Sequence, residues 1–125
     1  MNREQWNALV VEDEIDSMEL VCEVLEYHGI RSLAAYDANQ ALEILKDTIP
    51  TVIIIDLQLP GMDGWSLLRE IQQDAHLNHV PRVAMTAYHS VEVSKQSLKA
   101  GFDAYFPKPI ETRSFVEQLS QIVRR

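Results

Sequence analysis

Short apolar runs alternate along the chain with longer segments whose apolar residues recur every three or four positions, the pattern of strands exchanging with amphipathic helices. The plainest run is Thr51-Val52-Ile53-Ile54-Ile55, which shows no polar alternation and stops at Asp56. A strand without alternation is covered on both faces, as in a parallel sheet, so Asp56 stands at the carboxyl end of a buried strand. The pairs Pro60-Gly61 and Asp63-Gly64 turn the chain just beyond it. Taken alone, Asp56 reads as a strand-ending residue that caps the next turn; the rest of the chain argues for more.

Read in order, Ala8-Leu9-Val10-Val11 is a first buried strand that ends in Glu12-Asp13-Glu14, with Asp16 close behind. Ile15, Met18, Cys22 and Leu25, with Val21, then mark the inner face of a helix that Gly29 stops. Ser32–Tyr36 is a weak second strand, followed by a helix capped by Asp37 with Ala38, Ala41, Leu42 and Leu45 inward. After the central strand a third helix carries Leu67, Leu68, Ile71 and Ala75 on one face before a polar loop, His76-Leu77-Asn78-His79, in which His76 and His79 are solvated. Arg82–Ala87 is a fourth strand containing Thr86. The segment from Ser90 to Ala100 predicts a loosely packed helix, because Val91, Val93 and Leu98 make no clean stripe. Asp103–Phe106 is a fifth strand, placed at an edge by Pro107-Lys108-Pro109, and Thr112 caps a last helix with Phe115, Leu119, Ile122 and Val123 inward. Five strands alternating with five helices predict a doubly wound α/β fold, with residues 1–125 as one domain.

Composition sharpens this picture in two respects. A chain of 125 residues with 46% hydrophobic content can build one real core. Its net charge of −8, from 19 acidic and 11 basic side chains, argues against direct binding of nucleic acid or an anionic membrane and suits a metal ion or a basic partner. Cys22 has no second cysteine to pair with and reads as a small core residue. The opening residues Met1–Trp6 lack the apolar run of a signal peptide and no stretch matches a membrane span, so a cytoplasmic location is expected.

The chemistry converges at the strand ends. Glu12 and Asp13 follow the first strand, Asp56 the third, and Thr86 and Lys108 the fourth and fifth, so a right-handed parallel sheet brings them to one rim. Carboxylates crowded together are costly without a cation, and an oxygen-lined pocket with few ligands suits Mg²⁺ that keeps some of its waters. A lysine and a threonine beside them can hold the oxygens of a transferred phosphoryl group, which points to a phosphoryl group on Asp56.

Over nearly its whole length the sequence closely resembles the receiver domain of two-component response regulators. The resemblance is carried by Glu12-Asp13 after Leu9-Val10-Val11, the stretch Ile55–Gly64 around Asp56, Thr86-Ala87, and Lys108-Pro109 following Gly101 and Tyr105. It implies a flavodoxin-like fold with five parallel strands in the order 2-1-3-4-5. It implies Asp56 as the nucleophile toward a phosphohistidine on a sensor histidine kinase or histidine phosphotransfer protein. Mg²⁺ would be held by Asp13, Asp56 and the backbone carbonyl of Gln58, with Glu12 acting through water. Lys108 and Thr86 would bind the phosphoryl oxygens, and Tyr105 would turn inward as Thr86 moves. The face of the fourth helix, fifth strand and fifth helix would then meet a downstream protein. Gln58 and Tyr88 depart from the commonest pattern and flank the path of attacking water, which leaves the lifetime of the phosphate open. The residues alone leave Tyr105 open too, between that switch and a core aromatic with its hydroxyl at the surface.

Two other uses of such a fold fit less well. A flavin carrier needs an uncharged phosphate loop where this chain has Glu12-Asp13-Glu14, and an aspartyl phosphatase of the haloacid dehalogenase type carries its nucleophile in a D-x-D after the first strand. A stand-alone receiver that catalyses only its own phosphorylation and dephosphorylation is the expectation, against a receiver cut from a larger regulator.

Overall fold

The apolar run before Asp56 forms the central strand of a five-stranded sheet in the computed structural model, which describes residues 3–124. Met1, Asn2 and Arg125, which the expected bounds 1–125 include, lie outside the described residues. In chain order the elements are β1 (Asn7–Val11), α1 (Ile15–Tyr27), β2 (Arg31–Ala35), α2 (Ala38–Asp47), β3 (Val52–Asp56), α3 (Gly64–Gln72), β4 (Arg82–Thr86), α4 (Val91–Ala100), β5 (Ala104–Pro107) and α5 (Phe115–Val123). Short 3-10 turns cover Arg3–Gln5 and Ala75–Leu77. All strand pairs are parallel and the order is β2-β1-β3-β4-β5, the flavodoxin-like arrangement expected.

Because successive side chains of a strand point to opposite faces, the unbroken runs feed two cores at once. Leu9, Val11, Ile53 and Ile55 join α2 and α3 through Ala41, Leu45, Leu67, Leu68 and Ile71. Ala8, Val10, Val52 and Ile54 join α1 and α5 through Met18, Val21, Leu25, Phe115 and Leu119. β2 reads weakly because it is an edge strand in which Ala35 alone is buried. Pro107 closes the opposite edge strand, β5, in register with Thr86.

The caps explain several boundaries. Asp37 accepts the Gln40 N–H at 2.8 Å and Asp63 accepts the Ser66 N–H at 2.8 Å, which starts α2 and α3 where the chain must turn back from the rim. Four expectations need correction. Ile15, the first residue of α1, is 65% exposed, and burial on this face begins at Met18. Ala75 is exposed: α3 ends at Gln72, and Asp74 caps a separate 3-10 turn by accepting the His76 N–H at 3.0 Å. Leu77, inside the polar loop, is buried, and the guanidinium of buried Arg82 ties that loop down by donating to the carbonyls of Leu77 and Val80 at 2.7 and 2.8 Å. Thr112 does not cap the last helix: α5 starts only at Phe115, after Ser114, which makes no side-chain cap bond, and Glu111 holds the turn before it, its carboxylate accepting the Arg113 N–H at 2.8 Å and its carbonyl the Phe115 N–H at 3.0 Å. Cys22 is half-buried against the α1–α5 core, and burial pushes its thiol pKa up.

Candidate functional site

The register of the parallel sheet sets the rim. Val11 pairs with Ile55 and Asp56 with Met85, so β1, β3 and β4 end almost level and hand Glu12, Asp56 and Thr86 to the same side. β5 joins them because the Lys108 N–H donates to the Thr86 carbonyl at 2.8 Å, extending the ladder by one bond. The loop after Asp56 folds tightly back, the Gly64 N–H donating to the Leu57 carbonyl at 3.1 Å. A Cβ on Gly64 would stand 2.5 Å from the Asp56 carbonyl oxygen and 2.8 Å from Leu57 Cα, so only glycine allows this approach.

Lys108 is the centre of the site. Its ammonium has three N–H groups and uses all three, donating to Glu12 Oε1 at 2.6 Å, Asp56 Oδ2 at 3.0 Å and Glu14 Oε1 at 3.0 Å. The second oxygens are also held: Asp56 Oδ1 accepts the Gln58 N–H at 3.0 Å and Glu12 Oε2 the Glu14 N–H at 3.1 Å. Glu12 is fully buried and Asp56 nearly so, while Asp13 and Glu14 are exposed. Burial, and then the neighbouring Asp56 carboxylate, push the Glu12 pKa above the ordinary carboxylate range; Lys108 and the Glu14 N–H pull the other way without cancelling this. Burial also opposes the charge on Lys108, but its bonds to Glu12, Asp56 and Glu14 outweigh it and hold the pKa above the usual lysine value.

Oxygens of Glu12, Asp13 and Asp56 lie within 4.8 Å of one another. Opposite ligands of an octahedral Mg²⁺ stand about 4.2 Å apart, so this spread suits a small hard cation with water between it and one carboxylate. The carboxylates open into a pocket of 340 Å³ lined by Asp13, Glu14, Asp56, Gln58, Ala87, Tyr88 and Lys108. The acidic pocket is compatible with Mg²⁺ and with an aspartyl phosphate.

All of the expected site residues except Tyr105 meet at this rim. Thr86 is fully buried; its hydroxyl accepts the Tyr88 N–H at 3.0 Å and donates to Gln58 Oε1. Tyr105 lies on β5, half-buried against the α2–α3 core, and its hydroxyl oxygen is buried with no hydrogen-bond partner among the described residues. Burial pushes that hydroxyl's pKa up, against the influence of the Ser90 backbone, and the reading with a surface hydroxyl does not hold. Sequence reasoning placed Glu14 in the acidic cluster but missed it as a partner of Lys108. It also missed the Gln58–Thr86 bond. A carboxylate next to the acidic pair was the one signal for the first; the second had none, since both side chains point from loop or strand end into a shared space.

The family model for the response regulator receiver domain matches residues 8–120, and the chain belongs to that family. It is 33% identical over 117 residues to the phosphate regulon transcriptional regulatory protein PhoB of Klebsiella pneumoniae, covering 94% of this chain and 51% of PhoB, so it spans about half the length of that relative. It is 27% identical over 113 residues to the polar-differentiation response regulator DivK of Brucella ovis, covering 90% of this chain and 92% of DivK. Among solved structures it is similar to the Francisella response regulator 1452 receiver domain, with a TM-score of 0.86, 28% identity and coverage of 97% and 98%. Receiver domains are signalling domains of two-component systems that interact with histidine kinases and downstream effectors, not enzymes turning over small molecules. No helix among the described residues is long and apolar enough to cross a membrane.

Proposed function

We propose that the chain, over residues 1–125, acts as one receiver unit in which Asp56 takes a phosphoryl group from a phosphohistidine on a sensor histidine kinase or histidine phosphotransfer protein. The observation that carries this reading is the Lys108 ammonium 3.0 Å from Asp56 Oδ2, on a rim where three carboxylates converge. One Asp56 oxygen attacks phosphorus as the P–N bond breaks; the electron pair returns to the imidazole, which takes a proton from solvent. Lys108 is already within reach of the reacting carboxylate and follows the charge onto the phosphoryl oxygens, where the Thr86 hydroxyl adds a second donor. Asp13, Asp56 and the Gln58 carbonyl would hold Mg²⁺ directly and Glu12 through water. When bound, the ion supplies positive charge beside the oxygens on which negative charge builds.

The phosphate is read on the face of α4, β5 and α5. α4 supports this because Ser97 is its one buried residue while Val91 and Leu98 are exposed, so few contacts resist a shift. Tyr105, with an unpartnered hydroxyl beside that helix, is the side chain whose position would change. Moving between two existing arrangements needs only a few kcal/mol of differential binding. Backbone NMR with and without beryllofluoride, an acyl phosphate mimic, tests the reading. Shifts should run from Asp56 through Tyr88 to Phe106, and Thr86→Ala should confine them to the rim. Wild-type shifts confined to the rim leave a phosphate carrier without a switch.

A further inference from the structure

Gln58 grips both ends of the step just described. Its backbone N–H donates to Asp56 Oδ1 at 3.0 Å, while its side-chain oxygen accepts the proton of the Thr86 hydroxyl. That hydroxyl is fully buried, and its oxygen already accepts the Tyr88 N–H at 3.0 Å. A hydroxyl has one proton to give, so while Gln58 holds it Thr86 cannot donate to anything on Asp56.

We propose that Gln58 is a positioning residue that latches Thr86 in the unphosphorylated arrangement, because its carboxamide oxygen occupies the one proton that Thr86 would give to a phosphoryl group. The proposal rests on the phosphoacceptor reading of Asp56 and adds a threshold to it. Gln58 sits on an exposed loop, so its released side chain finds water at once. Thr86 is buried, so its released hydroxyl must find a new acceptor, and the reading above supplies one, a phosphoryl oxygen on Asp56. The latch therefore stabilises the resting state without obstructing the phosphorylated one. A buried hydroxyl deprived of its acceptor raises the energy of the resting state alone, which by the usual net worth of one hydrogen bond tightens binding of a phosphoryl mimic about two- to tenfold.

The test is a double-mutant cycle on the full chain with Mg²⁺, reading beryllofluoride affinity by tryptophan fluorescence and the Tyr88 amide by NMR. Gln58→Met keeps the length of the side chain and removes the acceptor; Gln58→Ala removes both. Each should bind beryllofluoride about two- to tenfold more tightly than wild type. In each ligand-free variant the Tyr88 amide should move toward the position it takes in wild type with beryllofluoride. In a Thr86→Ala background neither substitution should change the affinity. Unchanged or weaker binding overturns the latch, weaker binding pointing instead to a Gln58 amide that contacts the phosphoryl group. Tightening that persists with Thr86→Ala overturns it too, since the effect then does not pass through Thr86. Wild type that binds no beryllofluoride removes the phosphoacceptor reading and the latch with it, whereas normal wild-type binding with no Gln58 effect removes the latch alone.

Discussion

Replacing Lys108 by methionine keeps the stem but strips the positive charge from between Glu12 and Asp56, at 2.6 and 3.0 Å. Both carboxylates are buried, and breaking a buried ion pair by removing one partner typically costs about 3–5 kcal/mol. Here the loss has a ceiling. Glu12, raised already by burial, can take a proton and hydrogen-bond to Asp56, so the variant need pay no more than the cost of protonating a carboxyl whose ordinary pKa is 4.5. At pH 7 the ceiling is about 3 kcal/mol, and at pH 5 it is under about 1 kcal/mol. Glu14 adds little, being exposed and screened. The sign follows from losing Lys108, the side chain that pulls the Glu12 pKa down: the folded variant keeps the Glu12 proton to higher pH than folded wild type, so its deficit grows with pH. Urea unfolding of metal-free protein, followed by circular dichroism, should show Lys108→Met less stable than wild type by about 2–3 kcal/mol at pH 7 and by less than about 1 kcal/mol at pH 5. An equal deficit at both pH values, or none at pH 7, refutes the reasoning.

Mg²⁺ should stabilise wild type, because the three carboxylates are brought within 4.8 Å only in the folded chain; at a hundred times its dissociation constant the gain is about 2.7 kcal/mol, and a melt unmoved by millimolar Mg²⁺ contradicts this. Gly64→Ala should lose about 1–3 kcal/mol in urea unfolding and slow phosphorylation, since its Cβ would force the Asp56 and Leu57 backbone to move; an unchanged urea midpoint contradicts it.

The rim was legible in the sequence because strand ends obey a simple rule. Once Val52–Ile55 and Ala8–Val11 read as buried parallel strands, the residues that follow them had to emerge on one side, and the pairing of Val11 with Ile55 brings this about. Helix faces were legible where the period was clean, as in α2, and failed at the ends. Ile15 fits the stripe of α1 but is its exposed first residue, and Ala75 fits that of α3 but follows its last turn. Partners chosen by loop side chains were not legible. Lys108 reaches Glu14 as well as Glu12 and Asp56 because α1 starts one residue after Glu14, and α5 starts past Thr112 because Glu111 holds a turn there through the Arg113 N–H. Both depend on a few torsions that no periodicity encodes.

The most direct measurement is the intact mass of the protein after incubation with acetyl phosphate and Mg²⁺, for wild type and for Asp56→Asn. Wild type should gain one phosphoryl mass, lost again on hydrolysis, and Asp56→Asn should gain none while keeping its fold by circular dichroism. A substituted protein that is phosphorylated at the wild-type rate, or a wild type that never is, contradicts the account.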